Sequence, residues 1–191
     1  PLAVLQSGTI VFNPALPDGK QTALGRMGMG NYEKIALKFP HIFWPLEPHR
    51  LNYLSEGEPE LFNAWLNNAH YTGQPILIAY HAGSRAQHTN KLDDEALLEG
   101  CMVTLRKMFG DDIPNPIAYT RSSWEKDPYS RGSYSYSKVG SEVSDRATLA
   151  EPVNGRLFFA GEATHPHYFG TVHGAYETGI RAAREILKIF G

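Results

Sequence analysis

The residues most able to do chemistry lie near the end of the chain. Phe159-Ala160-Gly161-Glu162 closes an apolar run, and Gly170-Thr171-Val172 opens a long helical pattern. Gly174, Ala175 and Gly179 keep the first turns of that helix thin, so another backbone or a flat ligand can approach closely. Amides at a helix N-terminus attract anionic or electron-rich oxygen. Glu162 falls at the carboxyl end of an expected strand, where ligands bind in open α/β sheets. Helix–sheet packing alone is the plain alternative. Lys20 stands at a loop–helix junction, where a lone lysine is ordinarily just solvated. Trp124 and Tyr134 border and enter a polar stretch, 125–146, that reads as a long functional loop. Core packing is the plain alternative for Trp124.

Other patterns lack the spacing their chemistry needs. Gly19-Lys20-Gln21-Thr22 looks like the tail of a phosphate-binding loop, but Pro14 occupies the place of its first glycine. Gly25, Gly28 and Gly30 run in the reverse of the dinucleotide fingerprint. His165, His167 and His173 offer metal ligands. With no Cys nearby and Glu162 as the only candidate carboxylate, loop polarity or ligand contact explains them better, and no metal is expected.

The elements that must position these residues follow from periodicity. Residues 2–5 read as the end of a buried strand and 9–12 as β-rich, broken by Pro14 and Pro17. A short helix is expected over 21–27 and a strand over 33–39. Residues 40–60 read as loops around a short strand near 50–54, and 62–66 is short and aromatic. The continuous apolar run 75–80 fits a strand buried on both faces. Over 93–109, Leu97, Leu98, Cys101, Met102, Leu105, Met108 and Phe109 recur at helical spacing. Acidic residues open that segment, basic residues close it and Gly110 follows, as the helix dipole favours. Cys101 lies on the apolar stripe and reads as an inert buried thiol. Strands are expected over 117–124 and 156–160, and a helix from about 170 to 190.

Composition narrows the class. The chain has 191 residues, 42% hydrophobic and 20% charged, with a net charge of −2. That is enough apolar surface to offset ordering entropy, so disorder is excluded. No apolar run reaches the ~18 residues of a membrane span. One Cys excludes a disulfide framework, and no basic stripe points to nucleic acid. A soluble protein with neither nucleic-acid nor membrane partner is expected, with the cytoplasm favoured.

Taken together, Phe159-Ala-Gly-Glu162-Ala-Thr164, then Gly170-Thr-Val-His-Gly-Ala175 and Gly179, resemble the C-terminal FAD-binding signature of flavin-containing amine oxidases. That family includes monoamine oxidases, polyamine oxidases and lysine-specific histone demethylases. Pro1-Leu-Ala-Val-Leu-Gln-Ser-Gly8 resembles the strand before the family's substrate domain. Leu16-Pro-Asp-Gly-Lys20 resembles the segment carrying its active-site lysine. Trp124, Asp127-Pro128 and Gly132-Ser-Tyr-Ser135 resemble the flavin-facing wall of the substrate cavity. The resemblance runs along essentially the whole chain, in order.

The resemblance implies an α/β (α+β) fold: part of a Rossmann-like FAD domain plus part of a mixed-sheet substrate domain. Residues 1–17 and 144–191 are then expected in the FAD domain and 18–143 in the substrate domain. It implies a cofactor contact for Glu162 beside Gly161, and places the amides around Thr171 and Val172 at the flavin pyrimidine. There the positive helix end would stabilise the reduced, anionic flavin. Lys20 matches the lysine that holds a water against the flavin and is the expected catalytic residue. Trp124 matches an aromatic beside the flavin. Tyr134 matches one wall of the cage that aligns the amine, and Thr171 stands where monoamine oxidases carry a second Tyr. Ser133 stands where those enzymes carry the Cys bonded to flavin, so FAD should be noncovalent. The implied reaction oxidises a C–N bond of a primary, secondary or polyamine to an imine and reduces oxygen to hydrogen peroxide. The alternatives are an L-amino-acid oxidase or related desaturase, with Arg121 or Arg131 as a carboxylate partner, or a non-catalytic module retaining the fold. The family's Gly-rich βαβ unit is not in this sequence. The expectation is a C-terminal half whose partner is an N-terminal half carrying that unit, and which alone binds no FAD stably and is inactive.

Overall fold

The computed structural model describes residues 1–57 and 61–191. In chain order the elements are α1 (Leu2–Gln6), α2 (Asp18–Arg26), β1 (Met27–Met29), β2 (Tyr32–Lys38), β3 (Arg50–Asn52), β4 (Ala64–Asn67), α3 (Asn68–Thr72), β5 (Ile76–Ala82), α4 (Gly83–Thr89), α5 (Asp94–Phe109), β6 (Ala118–Arg121), β7 (Ser135–Ser137), α6 (Ser144–Ala150), a 3-10 turn (Glu162–Thr164) and α7 (Val172–Phe190). This is a mixed α/β chain with antiparallel sheets. It divides into two compact units, 1–31 with 124–191, and 32–123. Both divisions fall inside the 18–143 segment expected for the substrate domain. The loop expected over 40–60 includes residues 58–60, which lie outside the described residues.

Unit 32–123 is built on a five-stranded antiparallel sheet in the order β3-β4-β5-β2-β6. Its strands form because their patterns have period two. In β2, Glu33, Ile35 and Leu37 are buried while Lys34 and Lys38 are not. α5 belongs to the same apolar core: Leu97, Cys101, Met102 and Leu105 join Ile35, Leu37, Phe39, Trp65, Leu77 and Ala79. The α5 start is fixed by Asp93, whose carboxylate accepts the Ala96 amide at 2.8 Å. Gly110 ends it at φ 95°. Burial pushes the Cys101 thiol pKa up, which keeps it unreactive. The loop before β3 is tied down by buried Asn67. Its side chain accepts the Trp44 indole N–H at 2.8 Å and donates to the carbonyls of Pro45, Leu46 and Pro48.

The regular elements of unit 1–31/124–191 are helices, apart from one two-stranded sheet, β1 against β7. Its core joins Leu2, Leu16, Leu24, Met27, Leu149, Phe159 and Ala163. Here the structure corrects several expectations. Residues 2–5 are helical, not a strand: an apolar run that short fits either element. Residues 9–12 form no strand, and Val11 is 86% exposed. The expected strand 156–160 is absent. Only one isolated bridge, Val153 to Leu157, forms, because a strand needs a hydrogen-bonded neighbour alongside it. The stretch 125–146 is not loop throughout, since it contains β7 and starts α6. The C-terminal helix forms as expected, capped by Thr171, whose hydroxyl accepts the Gly174 amide at 3.1 Å. Among the described residues no helix is long and apolar enough to cross a membrane.

Candidate functional site

Glu162 is the hub of the site. One carboxylate oxygen, Oε1, accepts the Ser135 amide at 2.9 Å. Oε2 accepts the Ser135 hydroxyl at 2.7 Å and the Gly170 amide at 2.6 Å. One side chain thus joins β7, the 3-10 turn and the residue that leads into α7. Gly170 needs to be glycine here. Its φ is +67°, and a Cβ would stand 3.4 Å from the Tyr134 ring. At Gly174 a Cβ would collide with the Tyr168 carbonyl.

These constraints set the entrance to α7. Thr171 caps the helix while its hydroxyl donates to the Tyr168 carbonyl at 2.6 Å. The first amides of a helix have no partner within it, so Val172 and His173 present theirs at the positive end of the dipole. The Val172 side chain is exposed. Gly161 is held by Thr178, whose hydroxyl accepts its amide at 3.0 Å. Met29, Ser133, Leu149, Phe159, Gly161 and Glu162 help line a cleft of about 260 Å³. At that size the cleft is below the usual ligand-pocket range, and Ser133, Gly161 and Glu162 put polar groups on its wall.

The structure brings Gly161, Glu162, Tyr134, Thr171 and Val172 into one neighbourhood. Trp124 is exposed, and its carbonyl closes the 124–132 loop by accepting the Gly132 amide at 2.9 Å. Ser133 donates to the Gly30 carbonyl at 3.0 Å. Lys20 is deeply buried. Its ammonium donates to the carbonyls of Thr148, Leu149 and Glu151 at 2.7–2.8 Å and lies 4.3 Å from the Phe159 ring centroid. Those are all three donors an ammonium has, so here the lysine staples the end of α6. Burial lowers its pKa, opposed in part by Glu151. Arg121 is engaged in its own unit, pairing with Asp94 at 3.2 Å and the Leu92 carbonyl at 3.1 Å. His165 bonds Glu177 at 2.9 Å and accepts the His167 and Tyr168 amides. Among the described residues no cluster of three metal-ligating side chains exists.

Sequence reasoning placed Ser135 in the stretch resembling the cavity wall without its bond to Glu162, and missed Thr178 and above all Arg146. The guanidinium of Arg146 is buried, donating to the Ser135 hydroxyl at 2.8 Å and the Ala163 carbonyl at 3.2 Å. It also stacks 3.8 Å from the Phe169 ring centroid. The signal was spacing: Arg146, Leu149 and Ala150 lie at i, i+3 and i+4, one face of a helix.

A family profile described as "Flavin containing amine oxidoreductase" matches residues 1–187. "Lysine-specific histone demethylase 1 homolog 2" of Arabidopsis thaliana is 40% identical over 194 residues, covering 99% of this chain and 26% of its own length. "Polyamine oxidase 2" of the same organism is 40% identical over 187 residues, covering 97% of this chain and 37% of its own. A solved putrescine oxidase variant superposes with a TM-score of 0.80 at 21% identity, covering 97% of this chain and 41% of that one. At that identity the likeness speaks for the fold. The chain therefore spans between a quarter and two-fifths of the length of these relatives.

Proposed function

The chain belongs to the flavin-containing amine oxidoreductase family, and on that premise we propose that it supplies the C-terminal part of an FAD-dependent amine oxidase. The carrying observation is the corner where Glu162 holds Ser135 and Gly170 beside the start of α7. Gly161, Glu162 and the α7 entrance would hold the cofactor, with the Val172 and His173 amides facing electron-rich flavin oxygen. Bound flavin would take two electrons from the C–N bond of an amine and pass them to oxygen, giving peroxide. The residues of this chain bind, orient and exclude water. Tyr134, set against Gly170, forms one wall for the amine with Thr171 nearby, and Trp124 flanks the flavin. Ser133 offers no thioether, so FAD is held noncovalently. The remaining cofactor contacts, to the diphosphate above all, come from an N-terminal half carrying the Gly-rich βαβ unit.

Lys20 enters as the proton-handling residue, its lowered pKa suited to that work. To hold a water it must release one of its three carbonyls. A polyamine or a methylated lysine side chain is the favoured substrate class, following the names of the relatives. The test is anaerobic mixing of the full-length flavoprotein with polyamines and with L-amino acids, watching flavin absorbance. Bleaching by the polyamine supports the proposal. Bleaching only by L-amino acids would replace it with the amino-acid oxidase alternative, and no bleaching by any of these or by a methyl-lysine peptide would leave a non-catalytic module. Acid precipitation checks the noncovalent link: the flavin should stay in the supernatant.

A further inference from the structure

We propose that Arg146 is the positioning residue of the cofactor corner. It directs the Ser135 hydroxyl onto Glu162 and so fixes Gly170 at the entrance to α7. The functional consequence rests on the flavin reading above; the geometry does not.

The argument begins with what an arginine can do. A guanidinium only donates hydrogen bonds. Nη1 of Arg146 lies 2.8 Å from Ser135 Oγ, so that oxygen must accept. The hydroxyl hydrogen is then left for Glu162 Oε2 at 2.7 Å. Without Arg146 the same hydroxyl could rotate and donate elsewhere. The arginine thus occupies the acceptor side of the hydroxyl that donates to Glu162, and the same carboxylate oxygen accepts the Gly170 amide from the other side.

The same side chain grips the corner from its other side. Its plane stacks on Phe169, the residue before Gly170, and Nη1 also bonds the Ala163 carbonyl next to Glu162. Arg146 is only 3% exposed. A buried cation is costly unless it is paired, and Glu162 is the opposing charge that it feels. A lysine could place a charge here, but it lacks both the planar face for Phe169 and the rigid fork.

Site-resolved hydrogen exchange on the full chain tests the proposal. In Arg146→Met the amides of Gly170 and Gly174, bonded to Glu162 and Thr171, should exchange roughly tenfold faster, the change one lost hydrogen bond brings. Amides of β2 and β5 should be unaffected. Arg146→Lys should fall between Met and wild type. Ser135→Ala should reproduce the loss, and adding Arg146→Met to it should change little, since both act through one hydroxyl. Unchanged exchange at Gly170, or equal acceleration everywhere, would overturn the positioning role. Should Arg146→Met fail to fold, unchanged Gly170 exchange in Arg146→Lys overturns it equally. A second arm follows FAD release from the full-length protein. Severalfold faster release in Arg146→Lys is expected, and unaltered release overturns the link to the cofactor. A wild-type protein that binds no FAD would sink the flavin reading itself, while exchange at Gly170 still judges Arg146.

Discussion

Unit 32–123 and unit 1–31/124–191 bury polar groups for different ends. In the first, Trp65, Phe62, Leu37 and Leu77 are wholly enclosed, and the buried polar groups Asn67 and Glu33 tie loops and strands within the sheet unit. Asn67 ties a loop, and Ser122 bonds Glu33 at 2.5 Å while accepting the Lys34 amide at 2.9 Å. In the second, Lys20, Arg146 and Thr178 are buried, and the first two carry charge. Lys20 reaches across 128–131 positions to the end of α6, while Arg146 and Thr178 reach 11–17 positions to the corner. Carbon packing stabilises without fixing direction. Buried charges contribute less net stability but demand one geometry. The comparison teaches that the second unit uses buried cations to hold the Glu162 corner and the end of α6 in one arrangement.

The largest effect should come from the carbon core. Trp65→Ala removes a fully buried indole and should cost about 4 kcal/mol in urea denaturation. A loss below about 1 kcal/mol would mean that the sheet unit is not held by this core. Next, Lys20→Met leaves three carbonyls without their donor and should cost about 2–3 kcal/mol. In the full-length flavoprotein, rapid kinetics should also show slower flavin reduction or reoxidation with FAD still bound. A stability loss with both half-reactions at wild-type rates would make Lys20 a staple only and sharpen the contrast between the units.

A third effect, visible only on acidification, is a pH dependence in the sheet unit. Burial pushes His81 down to about 4, opposed by Glu33 and aided by Arg85. Its Nε2 pairs with the Thr89 hydroxyl. Between pH about 6.5 and about 4 the unfolded chain binds a proton that the folded chain does not. Stability is therefore full above that window and lost as pH falls through it. His81→Gln should flatten this part of the curve, and equal slopes in both proteins would refute the assignment.

Much of the architecture was legible in the residues. The α5 helix announced itself through the Asp93 cap, the Leu97–Cys101–Leu105 stripe and Gly110. Thr171 and the thin turns after it marked the start of α7. What hid was whatever depends on partners distant in sequence. The 156–160 run has the composition of a strand but no ladder neighbour among the described residues. The partners of Lys20 lie 128–131 positions away. Arg146 was masked by the polar stretch before it, although its spacing to Leu149 carried the sign of a buried face. Propensity reads local preference; it does not read which carbonyl a buried cation will find.

The central claim is that the α7 entrance presents its backbone amides to a flavin. Val172→Pro tests this directly. Proline is accommodated at the first position of a helix, and Thr171 already has extended backbone angles, φ −128° and ψ 150°, as a residue before proline requires. The substitution removes one amide hydrogen and little else. The account predicts that the midpoint potential of the flavin bound to the full-length protein falls, with the α7 helix intact by hydrogen exchange. An unchanged potential in a folded, flavin-loaded variant would contradict it.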